Sequence, residues 1–173
     1  EEMTNIILTD PNADVIIIDP EREYSPLVRA LGGEIINISA TSPTHINAMD
    51  MNKEYGDGAN PVILKSEFIM SLCEQLIGGN NLGAVQKSII DRCVALVLQE
   101  QKKIGKVPTL CTLREKLLEQ PEQEARDLAL TMELYTSGSL NIFAHETNVD
   151  TRNRIQSYDI HDLGEELYTL IND

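Results

Sequence analysis

Residues 15–18 read Val, Ile, Ile, Ile, and the run ends at Asp19-Pro20-Glu21. Four consecutive β-branched side chains favour extended backbone and leave no polar face, so residues 14–19 read as a central strand covered on both faces. Proline has no N–H to give a sheet ladder, which ends the pairing at Asp19. A strand that stops on a carboxylate puts that acid where α/β proteins line their ligand crevices, just past the carboxyl ends of parallel strands. Ser25-Pro26 then starts a short helix with Leu27, Val28 and Leu31 inward and Gly32-Gly33 as its stop, followed by a second strand over 34–38. Such a β-α-β unit with a short crossover predicts two parallel neighbours in one sheet.

The rest of the composition limits the partners. At 173 residues and 42% apolar the chain can bury one ordinary core, and with 4% aromatic residues and no Trp that core is aliphatic. Twenty-eight acids against 14 bases give a net charge of -14, which disfavours autonomous binding to nucleic acid or to an anionic membrane surface. No apolar run approaches the roughly 18 residues of a membrane helix, and the opening EEMTNIILTD has neither a basic start nor a cleavage site, so the chain reads as cytoplasmic. Cys73, Cys93 and Cys111 are an odd, widely spaced set and read as buried thiols in a reducing compartment.

Three blocks follow from pattern. Residues 1–59 form the α/β part, opening on what reads as the tail of a helix over 1–10 and closing on a polar loop over 39–60 that Ile46 and Met49 attach to the core. Residues 60–138 carry four helical patterns. The first starts at Asn60-Pro61, the second spans 82–103 with an all-apolar middle at 93–98, the third opens on a capping box at 112–115, and the fourth runs from Pro121 to Gly138. Residues 139–173 return to strand character at 141–144 and 155–160 before an amphipathic helix from Leu163. The order is sheet, all-α insertion, sheet.

The segment IIIDPEREYSPLVRALGGEIINIS, then INAMD, resembles the C-terminal motor domain of the large ATPases that power bacterial conjugation and type IV secretion, and RIQSYDIHDLGEEL is similar to the strand leading to that family's Walker B element. The resemblance implies an α/β fold, a partial RecA-like P-loop NTPase sheet with an all-α helical insertion, at work in an oligomeric NTPase. It implies ATP and magnesium as cofactors of the intact protein, none in this fragment. It also implies a homo-oligomer, other secretion or conjugation proteins as partners, DNA only in the intact assembly, and a place at the cytoplasmic face of a membrane reached through partners. Two departures stand out. No GxxxxGK[ST] occurs, the one Gly-Lys pair being Gly105-Lys106, so the Walker A loop is expected before Glu1 and the Walker B acids after Asp173; Ala48 also stands where the family usually has Pro. The chain alone is expected to be inactive, with its parent an ATPase.

By that resemblance Asp19 and Glu21 are the nucleotide-site acids of the intact protein, since a metal-bridged phosphate needs hard oxygen ligands or acceptors behind them. Read from the residues alone, the two acids cap the next turn and Glu23 is solvated. Tyr24 either touches the nucleotide or packs on the sheet edge. Arg152 and Arg154 are candidates for an arginine that reaches across a subunit boundary to the transferring phosphate, or a surface pair flanking a strand. Gly78-Gly79-Asn80-Asn81-Leu82-Gly83 before a helix with Lys87 imitates a phosphate loop but lacks its Lys-Ser/Thr ending, so it reads as an interhelical turn. His45, His145 and His161 are too scattered for a metal site. The alternative function is a non-enzymatic interaction module, with the helices binding a partner protein.

Overall fold

The structure, a computed structural model, describes residues 5, 9–10, 12–51, 60–77, 82–150 and 152–163. The chain divides into two compact units, residues 1–44 with 148–173, and residues 45–147. The helical unit is therefore wider than the block 60–138 read from sequence, because the segments flanking it pack on its helices.

In the first unit three parallel strands form one sheet: β1 Val15–Asp19, β2 Glu34–Asn37 and β3 Ile155–Asp159, in the order β1-β3-β2. The first two strands are parallel as expected but not neighbours, since β3 pairs with both. Nor is β1 central among the described strands, for Ile16 and Ile18 are 67% and 68% exposed. A β-branched run favours extended backbone whichever position it takes, and the number of covered faces is set by what packs on it. Its other face is buried. Ile17 packs with Ile155 and with Val28 of helix α1 (Ser25–Ala30).

Helix α1 has Pro26 in its first turn and stops where Gly33 N–H reaches back to Val28 O at 2.8 Å, with Gly32 at φ 71°. That left-handed turn suits glycine. The next position is tighter still, because a Cβ on Gly33 would lie 2.7 Å from Ile155 Cγ2, 2.8 Å from Val28 Cγ1 and 2.9 Å from Ile155 O.

The second unit is built from helices α2 Pro61–Ile77, α3 Ala84–Ile104, α4 Leu110–Leu118, α5 Gln123–Thr131 and α6 Glu133–Thr136. Asn60 Oδ1 accepts the N–H of Val62 at 3.0 Å and caps α2, as its position before Pro61 predicts. Helix α3 ends on Gly105 at φ 67°. Its all-apolar middle is buried at Cys93, Val94, Val97 and Leu98, whereas Ala95 is exposed, so the helix lies under the bundle on most of its faces rather than all. The cap of helix α4 is Thr109, three residues before the expected Thr112, and the N–H of Thr109 donates to Thr112 Oγ1 at 3.2 Å.

The fourth helical pattern is broken at Met132 into α5 and α6. Arg114 Nε donates to Ala129 O at 2.9 Å and its Nη2 pairs with Glu133 at 2.8 Å, competing for the carbonyl that a continuous helix gives to the N–H of Glu133. Residues 141–144 are not a strand. Leu140, Ile142 and Ala144 are buried with the alternation of one, but a turn closes the segment through Ala144 N–H to Asn141 O at 3.1 Å.

From the loop, Ala48 and Met49 join the bundle core, the latter fully buried. Lys65 Nζ donates to Ala48 O at 3.1 Å, and burial lowers that ammonium's pKa. The three cysteines are free, Cys73 and Cys93 buried and Cys111 half-buried. Burial pushes the Cys73 thiol up to about 12, so it stays protonated. No described helix is long and apolar enough to cross a membrane. The helices expected over 1–10 and beyond Leu163 fall largely outside the described residues, as do residues 78–81 of the glycine-rich turn.

Replacing Gly33 by Ala forces a methyl against β3, and overpacking of this kind costs about 1–3 kcal/mol. The chemical unfolding midpoint is expected to fall accordingly, with the denaturant dependence unchanged.

Candidate functional site at the carboxyl edge of the sheet

The register sets Asp19 opposite Asp159, and Asn37 opposite Asp159 on the other side, so the last residues of all three strands share one edge. Asp19 and Asp159 are buried, at 1% and 4% exposure. Buried carboxylates need partners, and each has them. Asp19 Oδ1 accepts the N–H of Glu23 at 3.1 Å and Oδ2 that of Tyr24 at 3.0 Å, which closes the turn leading into α1. Asp159 Oδ1 accepts the N–H of His161 at 3.2 Å.

The turn that Asp19 closes puts Arg22 at φ 58°, the one described residue other than glycine in the left-handed region. From there its Nε donates to Asp159 Oδ2 at 2.6 Å and its Nη2 to Asp162 Oδ2 at 2.7 Å. The guanidinium thus sits between two carboxylates where a cation would. Hydrogen bonds to these acids, Asp159 first, raise the Arg22 pKa, and Arg22 in turn holds the Asp162 carboxyl below its usual range. Glu21 projects from the same turn and is exposed, and Tyr24 is 38% exposed.

Asp19, Glu21 and Tyr24 are therefore brought to one edge, while the two arginines stand apart. Arg154 donates from Nε to Ala13 O at 3.1 Å and from Nη2 to Asp10 O at 2.6 Å and Ala13 O at 2.8 Å, which ties the turn before β1 to the start of β3. Arg152 is 89% exposed and pairs with Asp150 at 2.7 Å. Its guanidinium holds the Asp150 carboxyl at about 2. Lys87, in the helix after the loop that imitates a phosphate cradle, pairs with Glu74 at 2.5 Å.

Sequence reasoning passed over Arg22, Asp159 and Asp162. A signal was present for the second of them, since Ile155–Asp159 is another strand ending on a carboxylate. Of the histidines thought scattered, His45 and His145 stack with ring centroids 4.3 Å apart.

A family model for the central domain of the helicase HerA matches residues 2–173. This chain belongs to the HerA central-domain family. The structure of VirB4 of Thermoanaerobacter pseudethanolicus is similar to this HerA-family chain with a TM-score of 0.72 and 24% identity, over 94% of this chain and 46% of that one. That likeness shows the fold, and the chain spans about half the length of that relative. No curated protein matches in sequence. The fold is the expected one, an α/β, partial P-loop NTPase-like sheet with a helical insertion, and it is shared with that VirB4 structure.

Asp19→Ala removes the buried acceptor of two backbone N–H groups in the turn after β1, and is expected to cost about 1–3 kcal/mol in chemical unfolding. Arg152→Ala is expected to return the Asp150 midpoint from about 2 toward the ordinary 3.8 in a carboxyl NMR titration. By linkage, the stability from that pair is whole above 3.8 and is lost as pH falls through about 2.

Proposed function

We propose that this chain is a segment of an oligomeric NTPase motor that powers conjugative DNA transfer or type IV secretion, and that its carboxyl sheet edge faces the nucleotide phosphates. One observation carries the reading: the ends of three parallel strands, Asp19, Asp159 and Asn37, stand in register on one edge in a HerA-family chain. Ligands of open parallel sheets bind outside such edges.

ATP and Mg2+ are the cofactors proposed for the intact motor. These 173 residues contain no GxxxxGK[ST], so the phosphates are held by a loop from elsewhere in that motor. In this reading the acids here do not themselves hold the metal: Asp19 gives both oxygens to backbone N–H groups, and Asp159 and Asp162 share Arg22. Among the described residues no three His, Cys, Asp or Glu are grouped to hold a metal ion. In this reading Asp19 shapes the turn, Glu21 is the exposed acid that orders water near the γ-phosphate, and Tyr24 lines the nucleotide. Arg152, exposed at the end of its ion pair, is the better placed of the two arginines to reach a neighbouring copy, while Arg154 braces the sheet.

The partners proposed are further copies of the motor and other secretion or conjugation proteins, with DNA engaged only in the intact assembly and membrane association through partners on the cytoplasmic face. The net charge of -14 favours such indirect contact with DNA.

Glu21→Gln in the intact protein separates chemistry from folding. Turnover is expected to fall tenfold or more, the scale of a lost proton-handling group being about 10²–10⁴, with the unfolding midpoint unchanged. Native turnover in that variant returns Glu21 to a solvated turn residue. Calorimetry on the 173-residue chain alone is expected to show no magnesium-dependent ATP binding at low-micromolar concentration.

A further inference from the structure

The chain enters the helical unit at residues 44–45 and leaves it at 147–148. The two connecting strands are tied to each other within each unit. In the α/β unit Asn148 Nδ2 donates to Pro43 O at 2.8 Å. In the helical unit the N–H of Asn47 donates to Thr147 Oγ1 at 2.9 Å, and that hydroxyl donates to Asp50 Oδ2. Asn47 Nδ2 adds bonds to Asp50 Oδ1 at 3.0 Å and Pro108 O at 2.8 Å. Two positions before Asn47 and Thr147 lie His45 and His145, their rings 4.3 Å apart and tilted by 41°.

We propose that His45 and His145 form a proton-sensitive clasp on the strands that connect the helical unit. With neutral imidazoles the rings pack and the Asn47–Thr147–Asp50 network holds; with both protonated, two like charges sit at the ring contact and the strands part. The ionisable groups on the elements around it are Glu146 on the returning strand, Asp50 on the outgoing one, Lys65 of α2 with its Nζ on Ala48 O, and Cys111 of α4 with its thiol on Ala144 O. The charge that acts on His45 is that of His145. Burial first, and that charge second, hold His45 below the ordinary 6.5. A group lowered in the folded state gives stability that is whole above its unfolded value and is lost as pH falls below it, so the clasp is closed at about pH 7.5 and opens toward about pH 5.5.

Hydrogen exchange on the whole 173-residue chain, corrected for the intrinsic pH dependence of amides, reads the clasp. Amides of 45–50 and 144–147 are expected to lose protection several-fold between those two pH values while α3 keeps its own. His45→Phe and His145→Phe each keep a ring in the stack and remove a proton site, and each is expected to abolish the loss. In the native chain the His45 imidazole is expected to titrate by NMR below the ordinary 6.5. The clasp is overturned by equal loss in the native chain and both variants, by no loss in the native chain, by loss that spreads through α3, or by a His45 midpoint at or above the ordinary value.

Discussion

The sheet exists because β3 comes back between β1 and β2, which share no hydrogen bond of their own. Everything that distinguishes the first unit, from the burial of Val28 to the meeting of Asp19 with Asp159, waits on that return. A flexible excursion the length of residues 45–147 would cost about 4 kcal/mol in closure entropy, and the cost rises only slowly with length. A folded insertion costs less, because its own ends are already joined. The Asn47–Thr147 and Pro43–Asn148 bonds do that joining, and the helical unit then acts on the sheet as a short loop. The contacts at the neck of the insertion and the assembly of the sheet are therefore one problem in chain entropy.

At the carboxyl edge the constraint is electrostatic. A chain with a surplus of 14 negative charges buries two of its acids side by side, which is tolerable only with full hydrogen bonding. The two solutions differ. Asp19 is satisfied by local backbone and so dictates the turn; Asp159 is satisfied by Arg22, which that same turn delivers. The left-handed conformation at Arg22 is the geometric result, and strained backbone of this kind persists where surrounding bonds over-determine it. Such a turn holds Glu21 and Tyr24 outward beside a rigid edge.

Much of this was legible locally. The stop at Pro20, the Asn60 cap, the glycine end at Gly32 and the burial of Cys73 and Cys93 follow from the chemistry of neighbouring residues, and each is where the sequence puts it. The candidate site was half legible. Asp19 announces itself by ending an apolar run, whereas Arg22 reads as one more charged residue in a turn until its partners are known. The misreadings share a cause. The alternation of Leu140, Ile142 and Ala144 encodes burial of every second residue, and a turn can bury such a set without any strand to pair with. The continuous pattern from Pro121 to Gly138 carries no mark of Arg114 reaching Ala129 O from another helix.

What the amino-acid sequence by itself determined, then, was the local conformations: strand ends, caps, turns and the apolar faces, because their energies arise between residues a few positions apart. Tertiary structure alone decided that β3 rather than β2 lies beside β1, that Arg22 pairs with Asp159 and Asp162, and that His45 meets His145. Those choices join residues on distant parts of the chain. Parallel strands of similar composition are interchangeable until the connections and the packing of α1 discriminate among them, and a charge finds its partner only once the backbone has brought the two together.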